Sequence, residues 1–133
     1  RNLNDETPEV HKILTVKTLL QAREAVKKIY LDEKIEQYIL QIVFATRQPD
    51  AYGLGQVAPL ISYGASPRAT IALAKAARAM AFLDRRGYVT PDDVKAICPD
   101  VFRHRVGLTF EAEAENIGQE EVISRILSTI VIP

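Results

Sequence analysis

From Thr15 onward, apolar residues return at steps of three and four, and most of these runs are bracketed by a residue that starts or stops a helix. A chain patterned this way buries its apolar stripes helix against helix, which points to a mainly α fold built as a small helical bundle. Val16, Leu19, Leu20, Val26 and Ile29 form the first stripe, with Gln21, Arg23, Glu24, Lys27 and Lys28 on the other side. Asp32 offers a capping oxygen for a second helix, whose inner stripe is Ile35, Ile39, Ile42 and Val43. That helix is expected to stop near Arg47, because Pro49 disfavours helical dihedrals in the residue before it.

Residues 48–65 carry two prolines and three glycines and show no sustained periodicity, so they read as a long loop, a feature that is often functional inside a compact domain. Ser66-Pro67-Arg68 then opens a third helix running to about Asp84, with Ala69, Leu73, Ala76, Ala77, Met80 and Leu83 facing inward. Gly87 is expected to supply the turn, and Thr90-Pro91-Asp92-Asp93 to start a fourth helix that ends by Pro99. Val106, Leu108 and Phe110 alternate with Gly107, Thr109 and Glu111, which suggests a short β element over residues 106–111. Glu120 to about Thr129 reads as a last helix, with Val122, Ile123, Ile126, Leu127 and Ile130 on one side. Residues 1–14 are polar around Pro8 and read as a linker, leaving 15–133 as the domain.

The 133 residues suffice for one domain with a single core, and 47% apolar with 26% charged residues is the balance of a folded chain. Lys+Arg and Asp+Glu are equal at 17 each, so no bulk electrostatic attraction toward nucleic acid or an anionic membrane is expected. No apolar run reaches the roughly 20 residues that cross a bilayer, and no secretory leader pattern is visible at the start. Cys98 is the only cysteine, which rules out an internal disulfide and fits a reducing, cytoplasmic compartment. The chain opens at Arg1 and Met80 is its only methionine, as expected of a piece of a longer protein.

The catalytic inventory is nearly empty. The phosphate loop pattern G-x-x-x-x-G-K-S/T is missing, and Gly53-Leu54-Gly55 lacks the third glycine of a dinucleotide fingerprint. His11 and His104 have no second ligand at metal spacing, so no metal site is expected. Cys98 reads as a small buried hydrophobe rather than a nucleophile, and Glu111, Glu113 and Glu115 as a solvated acidic edge that would share a face if extended. No enzyme is visible in this chain alone.

One feature stands apart. Gly64-Ala65-Ser66-Pro67-Arg68-Ala69 puts an arginine in the first turn of a helix, where the dipole already favours anions. The cation is misplaced for helix stability, and a guanidinium that binds phosphate oxygens would account for it. An arginine open to solvent, or paired with a nearby carboxylate, is the stronger reading on electrostatics alone. Arg47, at a helix C-terminus, is a weaker candidate because the dipole by itself favours a cation there. Arg103 and Arg105 flank His104 and read equally as solvated charge or as a surface toward a neighbouring subunit.

Gly64-Ala65-Ser66-Pro67-Arg68-Ala69, followed by Gly87-Tyr88-Val89-Thr90-Pro91-Asp92-Asp93-Val94, resembles the C-terminal lid of MoxR-type AAA+ ATPases. Ala45-Thr46-Arg47, His104-Arg105-Val106 and Val131-Ile132-Pro133 extend the likeness over nearly the whole chain from about residue 10. The departure is Arg85-Arg86-Gly87-Tyr88, where the family has glycine-arginine ahead of tyrosine-valine. The resemblance implies an AAA+ lid fold, with residues 1–14 leading from an upstream ATPase core. It gives Arg68 the sensor 2 role toward the γ-phosphate, with Ser66 and Pro67 beside it at the nucleotide and Arg47 as a lesser candidate.

By the same resemblance the full-length protein uses ATP and Mg2+, whereas the isolated domain is expected to hold neither. The implied partners are the AAA+ core of its own chain, a homo-oligomeric ring and proteins with von Willebrand A domains. The implied role is that of a chaperone in metalloenzyme or complex assembly. The lid of a magnesium-chelatase-like AAA+ subunit is the near alternative. A helical DNA- or protein-interaction module is the distant one, and the zero net charge counts against DNA.

Overall fold

The computed structural model describes residues 7–133 and contains α1 (Val16–Lys27), α2 (Glu33–Arg47), β1 (Ile61–Tyr63), α3 (Arg68–Leu83), α4 (Pro91–Phe102), β2 (Gly107–Leu108), α5 (Phe110–Ala114) and α6 (Gln119–Thr129). Local chemistry explains most of these starts. Thr15 Oγ1 accepts from Thr18 N–H at 3.0 Å, and the Asp32 carboxylate accepts from Lys34 N–H at 3.1 Å. Thr90 and Asp93 satisfy each other's backbone N–H in a reciprocal capping box. Each cap of this kind contributes about 1 kcal/mol. Residues 7–14 are exposed and carry no helix or strand; the rest of the expected linker, residues 1–6, lies outside the described residues.

The core is one apolar cluster fed by α2, α3, α4 and α6, with Ile39, Ile42, Val43, Leu73, Val94, Phe102, Val122 and Ile126 all sealed from solvent. α3 packs most extensively on α4. One chain crossing is pinned by two backbone bonds: Tyr30 N–H donates to Gly87 O and Val89 N–H donates to Tyr30 O, both at 2.9 Å. Arg78 Nε adds a bond to Ile29 O at 3.1 Å.

Several expectations need correction. The first half of the α1 stripe is not buried: Val16 is 74% exposed, Leu19 52% and Leu20 51%, because α1 meets the bundle mainly through α3, with Ala22, Ala25, Val26 and Ile29 half-buried. Residues 48–65 are not an open loop. They form two single 3₁₀ turns, Pro49–Tyr52 and Ala58–Leu60, followed by β1, and they bury Leu54, Val57 and Leu60.

α4 runs past Pro99 to Phe102. Pro99 forfeits one donor, but Phe102 is fully buried and Arg103 N–H closes the last turn on Pro99 O at 3.0 Å. Leu83 points outward at 76% exposure, and Ala81 takes the inner position. The left-handed residue ending α3 is Arg85 (φ 57), within the stretch that departs from the family pattern, whereas Gly87 has no positive φ and no contact that would exclude a side chain.

The β element is shorter than expected. β2 covers only Gly107–Leu108 and pairs antiparallel with β1, Ile61 opposite Leu108 and Tyr63 opposite Gly107. Phe110 begins a helix instead, because Thr109 Oγ1 accepts from Ala112 N–H at 3.2 Å while donating to Pro59 O at 2.7 Å. Glu111, Glu113 and Glu115 therefore do not share an extended face. Among the described residues, no helix is long and apolar enough to cross a membrane.

Candidate functional site

Arg68 is the first residue of α3, and Ser66, Pro67 and Arg68 are all exposed. The helix start is closed by its own sequence. Arg68 N–H donates to Ser66 Oγ at 3.2 Å, Ala69 N–H to Ser66 O at 2.8 Å, and Thr70 N–H to Pro67 O at 3.1 Å. Ser66 is thus the capping side chain expected of it, and Pro67 occupies a position where no donor is needed. With those N–H groups satisfied, the group left over is the Arg68 guanidinium, which makes no ion pair among the described residues.

The other arginines contrast with it. Arg86 is held by Asp84 and Asp93, and Arg103 by Asp100 at 2.9 Å and Glu120 at 2.7 Å, both with their acidity further suppressed by those carboxylates. Arg103 is therefore tied to α4 and α6 of its own domain, while Arg105 is exposed beside it. His104 takes a left-handed backbone (φ 68), and its N–H donates to the Gln119 side chain.

The segment leading into Arg68 is anchored by the end of α2. Thr46, 1% exposed, donates from its hydroxyl to Val43 O at 2.6 Å and accepts from Ala65 N–H at 3.0 Å. Arg47 Nη1 donates to Ala65 O at 3.1 Å. Gly64 lies so close to this helix end that a Cβ there would stand 2.3 Å from Thr46 O and 2.7 Å from Arg47 N. Only glycine allows that approach. Arg47 thus holds the chain at Ala65, three residues ahead of Arg68. Thr46 and Gly64 were not singled out, although the strings Ala45-Thr46-Arg47 and Gly64-Ala65 contain them.

What this edge can do chemically is limited. It presents a planar cation, unpaired among the described residues, on a fixed backbone, suited to phosphate or carboxylate oxygens. Cys98 is fully buried and its thiol is pushed up to about 12 by burial, which leaves it without nucleophilic character at neutral pH. Among the described residues, no three His, Cys, Asp or Glu side chains gather where a metal could be held.

Residues 56–126 match the family model described as the AAA lid domain. The chain is 39% identical over 126 residues to the chaperone MoxR1 of Mycobacterium tuberculosis, covering 95% of this chain and 33% of that protein. It is 34% identical over 105 residues to the protein MoxR of Paracoccus denitrificans, covering 74% of this chain and 31% of that protein. A crystal structure of a provisionally assigned ATPase from Cytophaga hutchinsonii superposes with a TM-score of 0.84 at 44% identity, over 88% of this chain and 36% of that one. The chain spans about a third of the length of the curated relatives it matches.

Proposed function

The chain belongs to the AAA lid domain family in its MoxR form, and from that premise we propose that it closes over ATP bound to the α/β core of a parent ATPase, with Arg68 as the sensor 2 cation. The observation that carries this reading is the guanidinium of Arg68, which makes no ion pair among the described residues, on a segment anchored by Thr46, Arg47 and Ser66. When bound, ATP with Mg2+ supplies the phosphoryl group that is transferred. This chain's own contribution is one positive charge, preorganised where charge develops. Its residues fit the phosphate and not the metal, since they offer a cation and no cluster of acidic ligands among the described residues. The phosphate loop and metal ligands then belong to the rest of the parent.

A contact that differs between tri- and diphosphate shifts the preferred angle of the lid, which turns hydrolysis into motion. The exposed stripe of Val16, Leu19 and Leu20 on α1 is the apolar surface we assign to packing against that core. A homo-oligomeric ring in the cytoplasm, partners with von Willebrand A domains and a chaperone role in metalloenzyme or complex assembly complete the reading. They rest on the kinship with the MoxR proteins. Steady-state ATPase assays of the parent protein with Arg68→Ala and Arg68→Lys test the central claim; unchanged turnover and nucleotide affinity in both would remove it.

A further inference from the structure

Ala65 has both of its backbone groups taken by side chains from the end of α2. Its N–H goes to the buried Thr46 hydroxyl at 3.0 Å, and its C=O receives Arg47 Nη1 at 3.1 Å. The Thr46 hydroxyl is fully used, because its own hydrogen goes to Val43 O at 2.6 Å. Gly64 closes the third side by direct contact with the Thr46–Arg47 backbone. Three residues later the chain reaches Arg68, after a short stretch whose proline restricts its path. A guanidinium on a long side chain is aimed by the backbone that carries it. Here that backbone is referenced to α2 across 18 and 19 residues of sequence rather than to α3 alone.

We propose that Thr46 and Arg47 are positioning residues for Arg68: they clamp the backbone on both sides of the Ala65 Cα and so set where the sensor cation stands. This inference rests on the reading of Arg68 given above. It changes the place of Arg47, which acts through a carbonyl of this domain rather than as a second phosphate ligand. A displacement of about 1 Å in a catalytic group can cost up to about 10²-fold in rate, so loosening the clamp should matter without removing any group that touches nucleotide.

The test is a double-mutant cycle on turnover in the full-length ATPase, with melting followed in parallel. Thr46→Val keeps the shape and deletes the hydroxyl; Thr46→Ser keeps the hydroxyl. Thr46→Val should lower kcat roughly tenfold in the wild-type background, while Thr46→Ser stays near wild type. In an Arg68→Ala background the same Thr46→Val change should cost less than about twofold, since there is no cation left to misplace. An equal loss in both backgrounds, or no loss at all, overturns the positioning role. If Arg68→Ala alone leaves turnover intact, the reading of Arg68 fails first and takes this one with it. Should Thr46→Val melt below the assay temperature, Arg47→Ala removes the other half of the clamp from an exposed position and is judged by the same two comparisons.

Discussion

The Arg86 guanidinium meets the Asp93 carboxylate at two points, Nη2 to Oδ1 at 3.0 Å and Nη1 to Oδ2. The pair ties the segment that leaves α3 to the first turn of α4, the two helices that pack most extensively. Asp93 Oδ2 also accepts from Thr90 N–H at 2.8 Å, so one carboxylate serves an ion pair and a helix cap together. Arg86 extends the arrangement by reaching Asp84 at 2.6 Å and Tyr88 O at 3.0 Å.

Asp93→Asn should lower the melting temperature of the isolated domain on the order of 5 °C, through loss of the ion pair and weakening of a cap worth about 1 kcal/mol. The pH dependence has a definite sign. Burial opposes ionisation of Asp93, but Arg86 and Thr90 outweigh it and hold the carboxyl below the usual range. A lowered folded value means that the contribution is fully present above the ordinary Asp pKa of about 3.9 and is lost as pH falls through the folded value. Thermal melts at pH 7, 5 and 3 should show the gap between wild type and Asp93→Asn constant at the first two and shrinking at the third.

Arg85→Gly should stabilise the domain by about 1 kcal/mol. Arg85 holds a left-handed conformation (φ 57) while Arg85 N–H bonds Phe82 O and Arg86 N–H bonds Ala81 O, the paired bonds of a glycine-type helix end. Gly87→Ala should be close to neutral, because nothing lies within 4 Å of the added carbon. Denaturant titration of both variants checks the pair, and a destabilised Arg85→Gly would contradict it.

Tyr38 is 2% exposed, and its hydroxyl is buried without a hydrogen-bond partner among the described residues. Removing an unsatisfied polar atom while keeping the ring should leave stability unchanged or raise it by up to about 1 kcal/mol. A loss of more than about 1 kcal/mol in Tyr38→Phe, measured by chemical denaturation, would mean that the hydroxyl has a partner.

Arg68→Ala should leave the isolated domain folded, with stability unchanged or raised by at most about 0.5 kcal/mol, since it removes a cation from the positive end of a helix. In the parent ATPase the same change should cost on the order of 10²-fold in turnover. Arg68→Lys should recover only part of that, because an ammonium lacks the planar fork. Melting of the domain and steady-state kinetics of the parent are both required: an unfolded lid would make Arg68 structural.

The isolated chain should neither hydrolyse ATP nor bind it more tightly than millimolar, an affinity worth about 4 kcal/mol. One cation without an adenine pocket or metal ligands supplies no more. A micromolar dissociation constant by calorimetry would mean that the nucleotide site is not divided between lid and core.

Where the helices begin was decided by residues within one turn of each other. Asp32 caps α2, Ser66 and Pro67 open α3, and Thr90 with Asp93 opens α4, so each could be read from a few letters. Arg68 was visible for the same reason, as a charge at odds with its own helix. Other features needed partners far along the chain. Pro99 sits inside α4 because Phe102 finds a core to fill, and Ile61 forms a strand because Leu108 lies opposite. The first half of the α1 stripe announces a face that seeks cover but not what covers it, and within this domain it stays open. The grip of Thr46 and Arg47 on Ala65 spans 18 and 19 residues, and no local period encodes a contact at that separation. Caps and periods act through backbone neighbours, whereas packing and clamps form only once the chain has closed distant segments on each other, and that closure was decided by the tertiary structure.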